Sequence, residues 1–86
     1  MNDEHAKKEH KQEFSFTVDG EPLSTSEHEL TPRRIMQMAE VDPEKHYLEE
    51  KQGDHLVSYK DKADQAIHIR MHAEFITQYM GETPVS

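Results

Sequence analysis

Thr31-Pro32 and Pro43 bracket the clearest helical segment of this chain, and its shortness decides much of the rest. Thr31 is a good N-cap, because its hydroxyl can accept a hydrogen bond from a first-turn N–H that has no partner inside the helix. Pro32 suits the first helical position, where its fixed φ helps and its missing donor costs nothing. Leu30, just before the cap, can pack on Ile35 as a hydrophobic staple. Ile35, Met38 and Ala39 lie three and four apart and share one face. Pro43 disfavours α geometry in the residue before it, so the helix is expected to end at Val41 or Asp42. A helix of about ten residues is marginal in water by itself. It needs a sheet to lie on, and the sheet needs the same cover.

The flanking sequence supplies that sheet. Phe14, Phe16 and Val18 alternate with Ser15 and Thr17, which is strand period. Asp19-Gly20 follows, a strong two-residue hairpin signal. Residues 21–25 read as the returning strand, with Pro22 near its start, where a missing N–H does least harm. Tyr47 and Leu48 open a second extended region. Residues 49–54 are polar and contain Gly53, and are expected to form a turn. Residues 56–59 make a short strand, and residues 60–65 a charged connection with room for one helical turn. Ile67 and Ile69 alternate with His68 and Arg70. Phe75, Ile76, Thr77 and Tyr79 make the last stretch, residues 74–79, rich in strand formers. The fold class is therefore α+β: a mixed four- to five-stranded sheet packed on one main helix. The last strand is expected beside the first, at the centre of the sheet. No repeat of solenoid period occurs.

At 86 residues, one domain is the ceiling. Residues 14–80 carry the folding pattern. Residues 1–13, with Met1 and Ala6 their only apolar side chains, are expected to be a disordered leader, and residues 81–86 a flexible tail. Acidic residues number 18 and basic residues 10, for a net charge of −8. That balance repels a phosphate backbone and an anionic membrane surface, so neither nucleic acid nor membrane is an expected partner. It suits a soluble protein that meets a basic patch on another protein. The chain has no cysteine, which removes disulfides, thiolate catalysis and cysteine zinc sites, and fits a cytoplasmic location. No apolar run is long enough to span a membrane.

The runs Phe16-Thr17-Val18-Asp19-Gly20 and Leu30-Thr31-Pro32-Arg33-Arg34-Ile35-Met36 resemble the bacterial multiubiquitin domain. So do Asp42-Pro43 with Tyr47-Leu48, and Glu74-Phe75-Ile76-Thr77. The resemblance runs from Phe14 to about Met80. It implies a ubiquitin-like β-grasp fold, present here as a single copy. It also implies, as partners, an activating enzyme, a conjugating enzyme and a JAB-type peptidase, in systems some of which are linked to antiphage defence. On this reading the protein is a modifier attached through a C-terminal glycine after processing by the peptidase. The alternative is a ubiquitin-like binding module that docks on a partner enzyme or assembly and is never conjugated.

Conjugation needs a carboxylate on a thin, flexible end, and glycine removes the side chain that would obstruct a narrow channel. The chain closes on Pro84-Val85-Ser86, so the candidate for processing and attachment is Gly81, which is followed by five residues. Its other role would be simply to end the last strand. A candidate partner surface is Arg33 and Arg34 with Met36, which falls off the Ile35/Met38/Ala39 face. The alternative there is an edge methionine beside two solvated arginines. The seven histidines show no metal-ligand pattern. His68 and His72 would share a helix face, but the alternation around them is that of a strand, which sets them about 13 Å apart. No catalytic, cofactor or metal residue is assigned, and the chain is read as non-enzymatic.

Overall fold

In the computed structural model, which describes residues 13–81, the chain is α+β with a mixed five-stranded sheet and one helix. The leader, apart from Glu13, and the tail beyond Gly81 lie outside the described residues. Strand β1 (Phe14–Val18) turns through Asp19-Gly20 into β2 (Glu21–Thr25), with Val18 opposite Glu21. Asp19 (φ 52°) and Gly20 (φ 85°) are both left-handed, the geometry a two-residue hairpin turn requires. Asp19 also ties this turn to the last strand. Its backbone N–H donates to the Phe75 carbonyl at 2.9 Å. Its carboxylate accepts from the Thr77 N–H at 2.9 Å and from the Thr77 hydroxyl at 2.6 Å.

Helix α1 (Pro32–Met38) starts as its sequence dictates: Thr31 is extended, and its Oγ1 accepts from the Arg34 N–H at 3.1 Å. Leu30 and Ile35 lie in one core cluster, as the staple requires. The helix stops earlier than Pro43 would impose. Glu40 turns left-handed at φ 63°. The Glu40 N–H then donates to the Gln37 carbonyl, and Val41 N–H to that of Met36. That is a Schellman ending, built here without the usual glycine. The inward face also differs from the expected one. Pro32, Ile35 and Met36 are buried, while Met38 and Ala39 sit at the margin.

Strand β4 (His46–Gln52) runs through the stretch expected to be a turn and pairs with β5 (His55–Ser58) from Glu49↔Ser58 to Gln52↔His55. Only Gly53-Asp54 turns. Residues 60–65 form turns rather than helix. Strand β7 (Ala73–Tyr79) lies parallel to β1 and antiparallel to β4, giving the order β2-β1-β7-β4-β5 with the last strand central. Phe16 and Phe75 are therefore close, their rings meeting edge-on with centroids 5.8 Å apart. With Val18, Leu48 and Ala73 they form the inward face, against which Ile35 and Met36 pack. The alternation at Ile67–Ile69 becomes β6 (Ile67–His68), but outside the main sheet: it pairs with β3 (Glu29–Leu30), which had no sequence signal, in a second, two-stranded sheet.

Candidate functional site

The chain leaves the sheet at the end of β7. Tyr79 is 60 % exposed and Met80 43 % exposed, both large apolar side chains in water. The Met80 N–H is still held, donating to the Lys45 carbonyl at 2.8 Å. Gly81 follows directly, left-handed at φ 70°. A Cβ there would meet only the Tyr79 ring at ordinary contact distance, 3.7 Å, so backbone conformation rather than space favours glycine. Gly81 is exposed, and a single residue separates it from the strand.

Beside this exit lies a cavity of about 160 Å³. The end of α1, the turn at Pro43–Glu44, the start of β4 and the loop after β5 enclose it. Met36, Pro43, Tyr47, Tyr59, Ala63 and Met80 give it apolar walls, and Glu44, His46 and Asp61 add polar groups. The Tyr59 ring is positioned from both ends. The Tyr59 backbone N–H donates to the Leu48 carbonyl at 2.9 Å. Its hydroxyl donates to Glu50 Oε1 at 3.0 Å. Glu50 is only 3 % exposed, the one buried charged side chain among the described residues. A buried carboxylate without a donor would be costly, and Tyr59 supplies one. Burial first, and then the hydrogen bond to Glu50, push the Tyr59 phenol up to about 12.

The candidate surface of Arg33, Arg34 and Met36 does not hold together. Met36 is 1 % exposed and belongs to the core. It packs in an apolar cluster and also lines the cavity. Arg34 is exposed. Arg33 is committed within the molecule: Nε and Nη2 donate to the Asp64 carboxylate at 2.8 and 3.3 Å, and Nη1 to Glu44 Oε2 at 2.7 Å. The Arg33 N–H also donates to the Ala63 carbonyl at 3.0 Å, so one residue fastens the 63–64 loop and the 43–44 turn to the helix. The hydrogen bond to Asp64 chiefly raises the Arg33 guanidinium above its usual range, and Arg33 holds the Asp64 carboxyl below the usual one.

The cavity was not foreseen from sequence. Its walls come from five separate stretches between Met36 and Met80, with no motif among them. No group of three or more His, Asp or Glu among the described residues could hold a metal ion. No helix among them is long and apolar enough to cross a membrane. No protein-family model, curated protein or solved structure matches the chain.

Proposed function

We propose that this chain is a ubiquitin-like β-grasp protein that carries no chemistry of its own and works in the cytoplasm by docking on other proteins. The β-grasp reading is supported by the strand order β2-β1-β7-β4-β5, the parallel pairing of first and last strands, and a helix between the two hairpins. The docking role is carried by one observation: Tyr79 and Met80 stand exposed at the chain exit, beside a cavity with apolar walls. Isolated exposed apolar residues are ordinary, and the docking reading draws on two large ones in succession, Met80 lining the concavity itself.

The second reading is the modifier, delivered through Gly81 by an activating enzyme, a conjugating enzyme and a JAB-type peptidase. The exposure of Gly81 at the exit of the central strand favours it. The short stalk weighs the other way, since an enzyme would first have to free Met80 from Lys45, at a cost of about 0.5–1.5 kcal/mol for one hydrogen bond. Intact mass after co-expression with an activating enzyme and a JAB-type peptidase separates the two. An unchanged mass with a stable complex is the result the docking role expects. Loss of residues 82–86 followed by adducts on other proteins, abolished by Gly81→Val, would establish the modifier in its place.

A further inference from the structure

The two edges of the five-stranded sheet, β2 and β5, are not alike. In a two-residue hairpin the pair that closes the turn exchanges hydrogen bonds, and the next residue along turns its backbone groups outward. On β2 the outward residues are Pro22 and Ser24, and Pro22 has no N–H to offer. On β5 they are Leu56 and Ser58, because Gln52 and His55 close the turn and the Tyr59 N–H bonds to the Leu48 carbonyl. No backbone group among the described residues bonds to those of Leu56 or Ser58 on the open side. The strand, His55-Leu56-Val57-Ser58, holds neither proline nor lysine, two residues that commonly close an edge to further pairing. Val57 lies opposite the buried Glu50, so Leu56 stands on the outer face of the sheet, 53 % exposed.

This edge is complementary to itself. A two-fold axis sets two copies of β5 antiparallel. With the axis at Val57, each Leu56 lies opposite Ser58 of the second copy, and their outward N–H and C=O groups meet in hydrogen-bonded pairs. Asp54 at one end then meets Lys60 at the other, a pair of opposite charges. The two Leu56 side chains become diagonal neighbours across the seam, where each shields the other. An axis at Leu56 would set Lys60 against Gln52 instead. An axis at Ser58 would ask Leu56 to bond the Lys60 N–H, which Ser58 Oγ already holds at 3.2 Å.

The net charge of −8 is not concentrated here. Asp54 and Asp61 balance Lys60 and Lys62, with His55 neutral. One strand further in, Lys51 pairs with Glu74 at 3.8 Å, Glu50 accepts from the Tyr59 hydroxyl, and Glu49 accepts from Gln78. Remoter charges are screened over about 8 Å at physiological salt.

We propose that β5 is a self-association edge, on which a second copy of this chain pairs antiparallel about Val57 and joins the two sheets into one. β4 separates this edge from β7 and its exit, so the association is independent of the docking role. The seam is a strand of 4 residues from each copy, so the dimer is weak and forms and parts with concentration.

The test takes the full chain through a concentration series up to about 1 mM. Sedimentation equilibrium reads the mass, and NMR reads backbone amide exchange. The mass is expected to rise from one chain to two and stop there. Over the same range the Leu56 and Ser58 amides are expected to exchange at least about fivefold more slowly. Leu56→Pro removes an N–H that the monomer does not use, and should weaken dimerisation at least about tenfold. Lys60→Glu sets a like charge against Asp54 and should weaken it about as much. Adding Asp54→Lys restores an opposite pair and should return the affinity to within about threefold of the native chain. The charge variants leave residues 55–59 intact and carry the test should Leu56→Pro fail to fold. A single-chain mass throughout would overturn the proposal. So would a mass that grows past two chains, or a dimer whose signal changes fall at Tyr79 and Met80 while the Leu56 and Ser58 amides stay unchanged. Equal protection of those amides at every concentration would identify other residues of the same chain as the cover of the edge, and would overturn it as well. A double variant no better than Lys60→Glu alone would overturn the pairing about Val57.

Discussion

Two hairpins flank the central strand β7, and each is fastened by a carboxylate that accepts from a hydroxyl. In β1–β2 the carboxylate is Asp19, at the exposed turn, gripping Thr77 on the neighbouring strand. In β4–β5 it is Glu50, inside the molecule, held by Tyr59 from the loop that follows. The chemistry is alike and the surroundings are not. If Thr77 lets go, Asp19 meets water at once and recovers most of what it lost. If Tyr59 lets go, Glu50 faces Val57 and Phe75 on the neighbouring strands, and among the described residues no other hydrogen bond holds its side chain. The worth of such a bond is set by where a group goes when the bond is broken.

The comparison is broken most completely by removing the strand the hairpins share. Phe75→Ala is expected to cost about 3–5 kcal/mol, enough to leave so small a domain mostly unfolded in a urea titration. Next is Tyr59→Phe, expected to cost about 1–3 kcal/mol because it orphans a buried carboxylate. The double substitution Glu50→Leu with Tyr59→Phe should recover most of that loss, and a double-mutant cycle measures the coupling directly. Asp19→Ala is expected to cost about 1 kcal/mol, from the lost hydrogen bonds and from a left-handed position that alanine tolerates less well. If its cost matched that of Tyr59→Phe, burial would not be what distinguishes the hairpins.

The smallest expected effect is alkaline. The Tyr59 phenol titrates near pH 10 in the unfolded chain and at about 12 in the folded one. Its contribution is full below pH 10 and is lost as the pH rises through 12, because the folded form holds its proton longer. The Tyr59 hydroxyl is only partly buried, so screening trims the loss to about 1 kcal/mol. The difference in urea midpoint between the native chain and Tyr59→Phe, followed from pH 9 to 12, isolates it from lysine titration.

The same contrast explains what could be read in the sequence. The first hairpin announces itself, since Phe16 and Val18 alternate cleanly and Asp19-Gly20 is a turn signal that needs no tertiary context. Thr31-Pro32 likewise places the helix start by local chemistry alone. The second hairpin hides because its inward position after Leu48 is Glu50. A carboxylate in the apolar phase of a strand reads as a turn unless Tyr59 is known to wait for it. The helix end hides for a related reason: Glu40 takes the left-handed position that glycine usually marks. Met36 faces inward because the helix presents Ile35 and Met36 together to the sheet, a rotation that spacing alone does not fix. The alternation of Ile67 and Ile69 marks β6, but its partner β3 is a dipeptide nearly forty residues away with no periodic signal of its own. Of the candidate site, the placement of Gly81 just beyond the last strand was legible. The cavity beside it was not, since tertiary packing alone assembles it.

Placing β7 between β1 and β4 has a temporal consequence. The strand that bridges the two hairpins follows both of them in the sequence, so neither hairpin has its neighbour until that strand is made. The first and last strands, paired at Phe16↔Ala73, close a long loop, and its closure carries a correspondingly large entropy cost. Without residues 73–79 the two hairpins have no strand between them, and the sheet cannot form as one.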